Sequence, residues 1–293
     1  MALILGTAQL GQTYGIANRT GQPNAVMAID IVRAAWEHGM HAFDTAPDYG
    51  DAEVRLGDAF AAVHIMQDAR VVTKLASDVD PDDADAAVRS VERSRTRLGV
   101  PQLDGLLVRR TLLPRWDTVR RVFESLRDQG VVGRVGCSVY TPDEAFQALA
   151  LDDVSFIQVP TSILDRRFLG AGVFDRAQAL GKRVVIRSVF LQGLLAMRPE
   201  KVPPLPGARE ALLGIQRTSN ELGMTPIALA IAYVRERCPN ADVLVGAETP
   251  QQVVELATCW ACASSTCGDI IERYVAAGTS DLVDPTRWNA AVR

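Results

Sequence analysis

Eight short apolar, β-branched runs, each followed by a stretch with helical spacing, constrain this chain more than any other feature. They are LILGTA (3–8), HAFDTA (41–46), RVVTKL (70–75), LDGLLV (103–108), RVGCSV (134–139), FIQVP (156–160), RVVIRS (183–188) and DVLVGA (242–247). Runs of this length bounded by turn residues read as buried strands. Between them, AVMAIDIVRAAWEHG sets Ile29, Val32, Ala35 and Trp36 on one side. DAAVRSVERSRTRLG turns Val88, Val91 and Leu98 inward, and WDTVRRVFESLRDQG does the same with Val119, Val122, Phe123 and Leu126. Gly39, Gly99, Gly130, Gly181 and Gly223 stand where such helices should stop. Strand and helix alternating eight times is the pattern of an α/β fold of the (β/α)8 TIM barrel type, whose usual size is about 250 residues. One such domain over 1–293 is expected, since no linker divides the chain. A doubly wound open sheet is the competitor. It would normally carry Gly-x-Gly-x-x-Gly after its first strand, and none is present.

In a barrel of this kind the active site lies at the carboxyl ends of the strands. Read in order, those ends are Thr7, Asp44, Lys74, Arg109, Ser138, Gln158, Arg187 with Ser188, and Gly246. Any one of these groups reads as a surface side chain beyond a strand. A polar group at nearly every end reads as a ring around one mouth.

Composition narrows the function classes. At 48% hydrophobic and 23% charged the chain can build a large core. A net charge of −4 gives no general attraction to nucleic acid or anionic lipid. The opening MALILGTAQLG has no basic start or long apolar run, and no stretch is long enough to span a bilayer, so a cytoplasmic protein acting on a small molecule is expected. Oligomeric state leaves no mark in the sequence. Five cysteines without a secretion signal point to reduced thiols. The Cys-x-x-Cys of TCWACASSTC lies in QQVVELATCWACASS, which reads as helix. No second pair or nearby histidine completes a zinc set, and no metal is expected.

The strongest local feature is FDTAPDYGDAEVRLG, residues 43–57. Asp44 ends one strand, Lys74 ends the next, and neighbouring barrel strands set them side by side. A loop closed by Gly50 can return Tyr49 over both. A carboxylate would hold the ammonium in position, and the ammonium would favour the phenolate, making the tyrosine a usable general acid near neutral pH. The plainer alternative is an Asp–Lys ion pair with an unrelated surface tyrosine.

On these residues the chain resembles the aldo-keto reductase superfamily, barrel enzymes that reduce carbonyls with a nicotinamide cofactor. FDTAPDYGDAEVRLG is similar to the family pattern DTA-x-x-YG-x-x-E-x-x-LG, and VVTKL to the strand bearing its lysine. VVGRVGCSVYTPDEA, FIQVPTSILDRR and RSVFLQGLLA resemble three further family segments in the right order. The closing VDPTRWN resembles the DP-x-x-W of a bacterial branch with the RSxFLQGLL loop. The resemblance implies that Asp44, Tyr49 and Lys74 are three of four catalytic residues. It implies that Ser138 and Gln158 meet the nicotinamide carboxamide, with Gly6 and Thr7 near its ribose. Ser188, Phe190, Gln192 and Gly193 would wrap the pyrophosphate, and Gly246, Gln252 and Glu255 would meet the adenosine.

The departures carry information too. The family keeps a histidine at the end of strand four, where this chain has Arg109. An arginine is a permanent cation with five donors in a planar fork. It could hold an oxyanion or enolate, or clamp a carboxylate or phosphate. Arg187 stands where many members stack a tyrosine on the nicotinamide, and Thr161 and Ser162 replace the usual Tyr-Asn. Glu248 stands where NADPH-preferring members keep an arginine, and a carboxylate there would repel a 2′-phosphate, so of NADH and NADPH the former is favoured.

Three functions follow as expectations. The first is an oxidoreductase acting on a polar, sugar-like or anionic carbonyl or alcohol, with Tyr49 as proton donor and Arg109 in place of histidine. Arg110, Tyr14 and Trp116 are candidate substrate-lining residues. The second is a non-redox isomerase, lyase or dehydratase using Arg109 to stabilise an enolate. The third is a catalytically silent cofactor-binding protein.

Overall fold

The computed structural model describes residues 1–263 and 267–288. Eight parallel strands close into a barrel in sequence order. They are β1 (Leu3–Gly6), β2 (Ala42–Asp44), β3 (Arg70–Lys74), β4 (Gly105–Arg109), β5 (Val135–Ser138), β6 (Phe156–Pro160), β7 (Arg183–Arg187) and β8 (Ala241–Gly246). All eight lie where the apolar runs predict. Six stop one or two residues early, as where Thr7, Thr45 and Ser188 already belong to the turns that follow, while β6 ends with its run and β4 continues one residue further, to Arg109.

Alternation along each strand makes two cores. Ile4, Ala42, Val72, Leu107, Phe156, Val185 and Leu244 pack together inside the barrel, apart from the larger cluster between sheet and helices. β5 supplies only Gly136 to that layer, and β4 adds Gly105. An added Cβ at Gly136 would lie 2.6 Å from the Phe156 carbonyl oxygen and 2.7 Å from its ring, so the two glycines make room for one phenylalanine that plugs the barrel. The outward phase (Leu5, Phe43, Val71, Leu106, Val108, Cys137, Ile157, Ile186, Val243) is buried under the helices.

The helices form as their spacing predicts, with small shifts of face. In Ala25–Glu37 the buried stripe runs through Ala28, Ile31, Val32 and Ala35, so Ile31 rather than Ile29 leads it. Ala84–Leu98 ends on Gly99 at φ 66, a left-handed stop. The long interval after β7 resolves into two short 3-10 turns and then the helices Ala208–Leu222 and Pro226–Arg237. Ser264 and Ser265 of the expected cysteine-bearing helix, and Asn289 of VDPTRWN, lie outside the described residues. Trp288 is buried and donates from Nε1 to the Leu282 carbonyl. No helix among the described residues is long and apolar enough to cross a membrane.

Candidate functional site

Period-two alternation builds the site directly on the barrel plug. Two residues beyond each member of the inner layer stand Gly6, Asp44, Lys74, Arg109, Ser138, Gln158, Arg187 and Gly246, which therefore face the same way, at the carboxyl mouth. Strand register carries the ring round: Gly6 pairs with Asp44 and with Gly246, Arg109 with Ser138, and Ser138 with Gln158. Thr7 is the exception. It is fully buried, and its hydroxyl donates to the Asp44 carbonyl at 3.0 Å, so Gly6 alone represents β1 in the ring.

At the centre Lys74 Nζ donates to Asp44 Oδ1 at 2.7 Å and to the Thr45 carbonyl at 2.9 Å. The other carboxylate oxygen, Oδ2, accepts from Gln158 Nε2 at 2.8 Å, while Ser138 Oγ approaches Gln158 Oε1 at 3.5 Å. Asp44 and Lys74 are 4% and 7% exposed, so the pair is effectively desolvated. Burial alone would depress the ammonium. The Asp44 carboxylate and the Tyr49 phenol outweigh it, and Lys74 is pushed up to about 12. Tyr49 lies over this pair, with Nζ 5.0 Å from the ring centroid.

Two glycines hold Tyr49 there. A Cβ on Gly11 would overlap the Tyr49 carbonyl, and Gly50, at φ 58, presses its α-carbon on the Gly11 carbonyl. The rest of the same motif is structural. Glu53 is buried and accepts from Thr73 Oγ1 at 2.8 Å, and Gly57 lets its helix approach the backbone at Arg97.

Arg109 reaches neither Asp44 nor Lys74. Its Nη2 bonds Asp48, the residue before Tyr49, while its Nε is buried with no hydrogen-bond partner among the described residues. Arg110 bonds Glu144 at 3.1 Å and lies 4.8 Å from the Tyr140 ring, whose centroid is also 4.2 Å from the Arg187 guanidinium. Arg187 donates to the Val139 carbonyl at 3.2 Å and has no carboxylate partner among the described residues. Tyr14 is half-buried. Burial pushes its phenol up, Tyr49 and Tyr140 add to the rise, and Arg187 opposes it, so all four meet at the mouth. Trp116 does not join them. It is 4% exposed, sits in the core with its ring 6.1 Å from Phe123, and offers the mouth no wall. Proline at 114 and the 3-10 turn Arg110–Arg115 carry the chain down into the helix before Trp116 is reached.

Tyr140 and Asp48 are the residues that the sequence reading missed. Both lie in loops, and nothing in the spacing marks either for contact with the ring. Thr161 and Ser162 are fully buried, and Ser162 Oγ accepts from the backbone of Leu164 and Asp165, so they shape a turn and do not face the mouth.

The segment after β7 has the features of a strap. Ser188, Leu191 and Gln192 hold φ at 60, 46 and 55, with Gly193 at 91. Three non-glycine residues in the left-handed region within one short loop are costly, at about 1–3 kcal/mol each, and such strain gathers at ligand clamps. The strap is fastened by Ile16 N–H to the Gln192 carbonyl at 3.0 Å. The backbone N–H groups of Phe190 and Gln192 have no hydrogen-bond partner among the described residues, as a phosphate cradle requires. Next to the strap a cavity of about 330 Å³ is lined by Ala17, Arg19, Ala196, Met197, Arg198 and Lys201. At its far side Glu248 accepts from Thr20 Oγ1 at 3.3 Å, and burial pushes its carboxyl up against that bond. Gln252 accepts from the Glu248 N–H at 2.7 Å, and Glu255 is exposed on the helix Pro250–Cys262. These residues fit a dinucleotide laid from the barrel centre outward.

A closed eight-stranded barrel with a buried carboxylate–ammonium pair beneath a tyrosine is an NAD(P)-dependent oxidoreductase fold of the aldo-keto reductase kind. The model of the Aldo/keto reductase family matches residues 2–265, and the chain belongs to that family. Among solved structures it is similar to an aldo-keto reductase from Bacillus halodurans in its holo form, at 21% identity and a TM-score of 0.77, over 96% of this chain and 95% of that one. A glycerol dehydrogenase from Gluconobacter oxydans aligns with a TM-score of 0.74, at 21% identity, over 98% of this chain and 95% of that one. In sequence it is 28% identical over 150 residues to the D-arabinose 1-dehydrogenase of Saccharomyces cerevisiae. That match takes in 48% of this chain and spans under half of the relative's length, 43%.

Proposed function

We propose that the protein moves a hydride between NADH and the carbonyl of a small polar, sugar-like or anionic substrate, Tyr49 supplying the proton. The observation that carries this reading is the desolvated Asp44–Lys74 pair under the Tyr49 ring at the open mouth of the barrel. A bound nicotinamide supplies the hydride. Lys74, fixed by Asp44 and Thr45, keeps a full positive charge beside the phenol and stabilises the oxygen that Tyr49 leaves after donating its proton to the substrate. Ser138 and Gln158 stand beside Asp44 to fix the carboxamide, and the inward Gly6 and Gly246 leave space for the ribose end. Arg109 takes the place of a neutral donor at the substrate oxygen. Arg110 and Tyr140 form the rim, with Tyr14 on the opposite side near the strap.

The strap from Ser188 to Gly193 would close over the pyrophosphate, and the cations Arg19, Arg198 and Lys201 favour phosphates along that side. Glu248 at the adenosine end disfavours a 2′-phosphate and underlies the choice of NADH. Two relatives support the substrate class by their names, since glycerol and D-arabinose are both polyhydroxylated.

The test is aldehyde-dependent oxidation of NADH and NADPH, wild type beside Tyr49→Phe, with D-glyceraldehyde as substrate. Loss of the proton donor should lower kcat by about 10²–10⁴-fold with little change in cofactor binding. Unchanged turnover in Tyr49→Phe would remove Tyr49 from the chemistry, and faster turnover with NADPH would remove the role given to Glu248.

A further inference from the structure

The mouth carries four cations, and three of them already have carboxylate partners from this chain. Lys74 faces Asp44, Arg110 faces Glu144, and Arg109 faces Asp48. The last pair adjoins the proton donor along the chain, since Asp48 is the residue before Tyr49. Asp48 is itself anchored from a third loop, because its Oδ1 accepts from Ser77 Oγ at 2.6 Å and from the Ser77 N–H at 3.3 Å. One carboxylate therefore ties the loops after β2 and β3 to the end of β4. Arg109 meets it through Nη2, at the outer edge of the guanidinium, and the buried Nε has no acceptor among the described residues.

We propose that Asp48 is a specificity-determining residue, which pairs with Arg109 and matches its charge at the mouth, so that uncharged hydroxy-carbonyl compounds are accepted and carboxylate- or phosphate-bearing ones are refused. This rests on the hydride-transfer reading above and narrows its substrate class. A free arginine grips an oxyanion with two parallel N–H donors, and that fork is the reason arginine selects carboxylates and phosphates. Asp48 holds one Nη2 hydrogen and sets a carboxylate against the guanidinium, so the charge that would draw an anion is already matched. A substrate anion at Arg109 would also approach a fixed carboxylate, and like charges in a half-buried site discriminate by repulsion. A neutral carbonyl or hydroxyl oxygen needs one N–H donor and no net charge, and the guanidinium still offers donors beyond the one given to Asp48. Asp48 touches no reacting atom in this account. It acts on substrate choice through Arg109.

The test compares wild type with Asp48→Asn, which keeps the shape and the Ser77 contacts, and with Asp48→Ala. With saturating NADH present, each is titrated calorimetrically with glycerol and with glycerol 3-phosphate, and each is assayed on D-glyceraldehyde and on its 3-phosphate. Wild type should prefer the uncharged member of each pair. Both variants should shift the ratio of phosphorylated to neutral kcat/KM upward by at least about tenfold, carried by KM, as an unmatched guanidinium charge predicts. The double variant Asp48→Asn, Arg109→Gln should lose that gain, which places the anion on Arg109. Glycerol 3-phosphate binding wild type as tightly as Asp48→Asn overturns the proposal, as does a gain that survives the loss of Arg109. The binding arm reads substrate choice without turnover. Absence of NADH oxidation by wild type would therefore count against the hydride-transfer reading alone.

Discussion

Replacing Lys74 by methionine should cost more stability than any surface change, and the structure says how much and when. The ammonium donates to Asp44 Oδ1 and to the Thr45 carbonyl in a site where both partners are nearly sealed from water. Methionine fills the space but leaves a buried carboxylate with Gln158 as its one remaining side-chain donor among the described residues. Breaking a buried pair from one side costs about 3–5 kcal/mol. At roughly 2 °C per kcal/mol for a chain of this length, Tm should fall by about 6–10 °C. Asp44→Asn in the same background removes the stranded charge, so the double variant should regain a substantial part of the loss. pH supplies an independent reading. Lys74 is held at about 12, above its ordinary 10.5, so its protonation stabilises the fold. Each tenfold gain in proton affinity is worth about 1.4 kcal/mol, which makes this contribution about 2 kcal/mol. With the folded value raised, that contribution is complete below pH 10.5 and is lost as pH rises through about 12. The stability difference between wild type and Lys74→Met, followed by urea unfolding across pH, should be flat to pH 10.5 and then shrink. A double variant as unstable as Lys74→Met, or a difference that grows above pH 10.5, refutes the reasoning.

Other expectations can be checked with the same protein. Gly11→Ala drives a methyl group into the Tyr49 carbonyl, so turnover should fall at least about tenfold while Tm changes little, if the local loop yields before the barrel does. Gly136→Ala presses on Phe156 inside the barrel and should cost about 1–3 kcal/mol in urea unfolding, and pairing it with Phe156→Leu should recover part of this. Burial pushes the Cys137 thiol up to about 12 and raises Cys238 as well, so iodoacetamide near neutral pH should label the exposed Cys262 first and spare both until the chain unfolds. Mass spectrometry of the labelled peptides would decide it.

The fold was legible because strand runs and helical faces each have their own period, and all eight strands lie where the runs predict. The ring at the mouth followed from the same alternation, since it stands two residues beyond the inner layer. Alternation also explains the error at Thr7, which lies one step out of phase and turns its hydroxyl to the Asp44 carbonyl. Loops obey no such period. Trp116 looked free to line the mouth, yet a short 3-10 turn carries it into the core. Asp48 and Tyr140 become partners of the arginines through loop conformations that depend on the packing of three successive turns, and spacing along the chain does not encode those.

The central claim is that hydride passes between a nicotinamide and a carbonyl at this mouth. Its most direct test follows the hydrogen itself. The protein is incubated with D-glyceraldehyde and NADH carrying deuterium at both positions of the transferring carbon, and the glycerol formed is weighed by mass spectrometry. The account predicts glycerol carrying the deuterium, formed in step with NADH consumed and lost in Tyr49→Phe. Unlabelled product, or proton exchange and elimination proceeding without NADH, would contradict it and move the chemistry to an enolate held by Arg109.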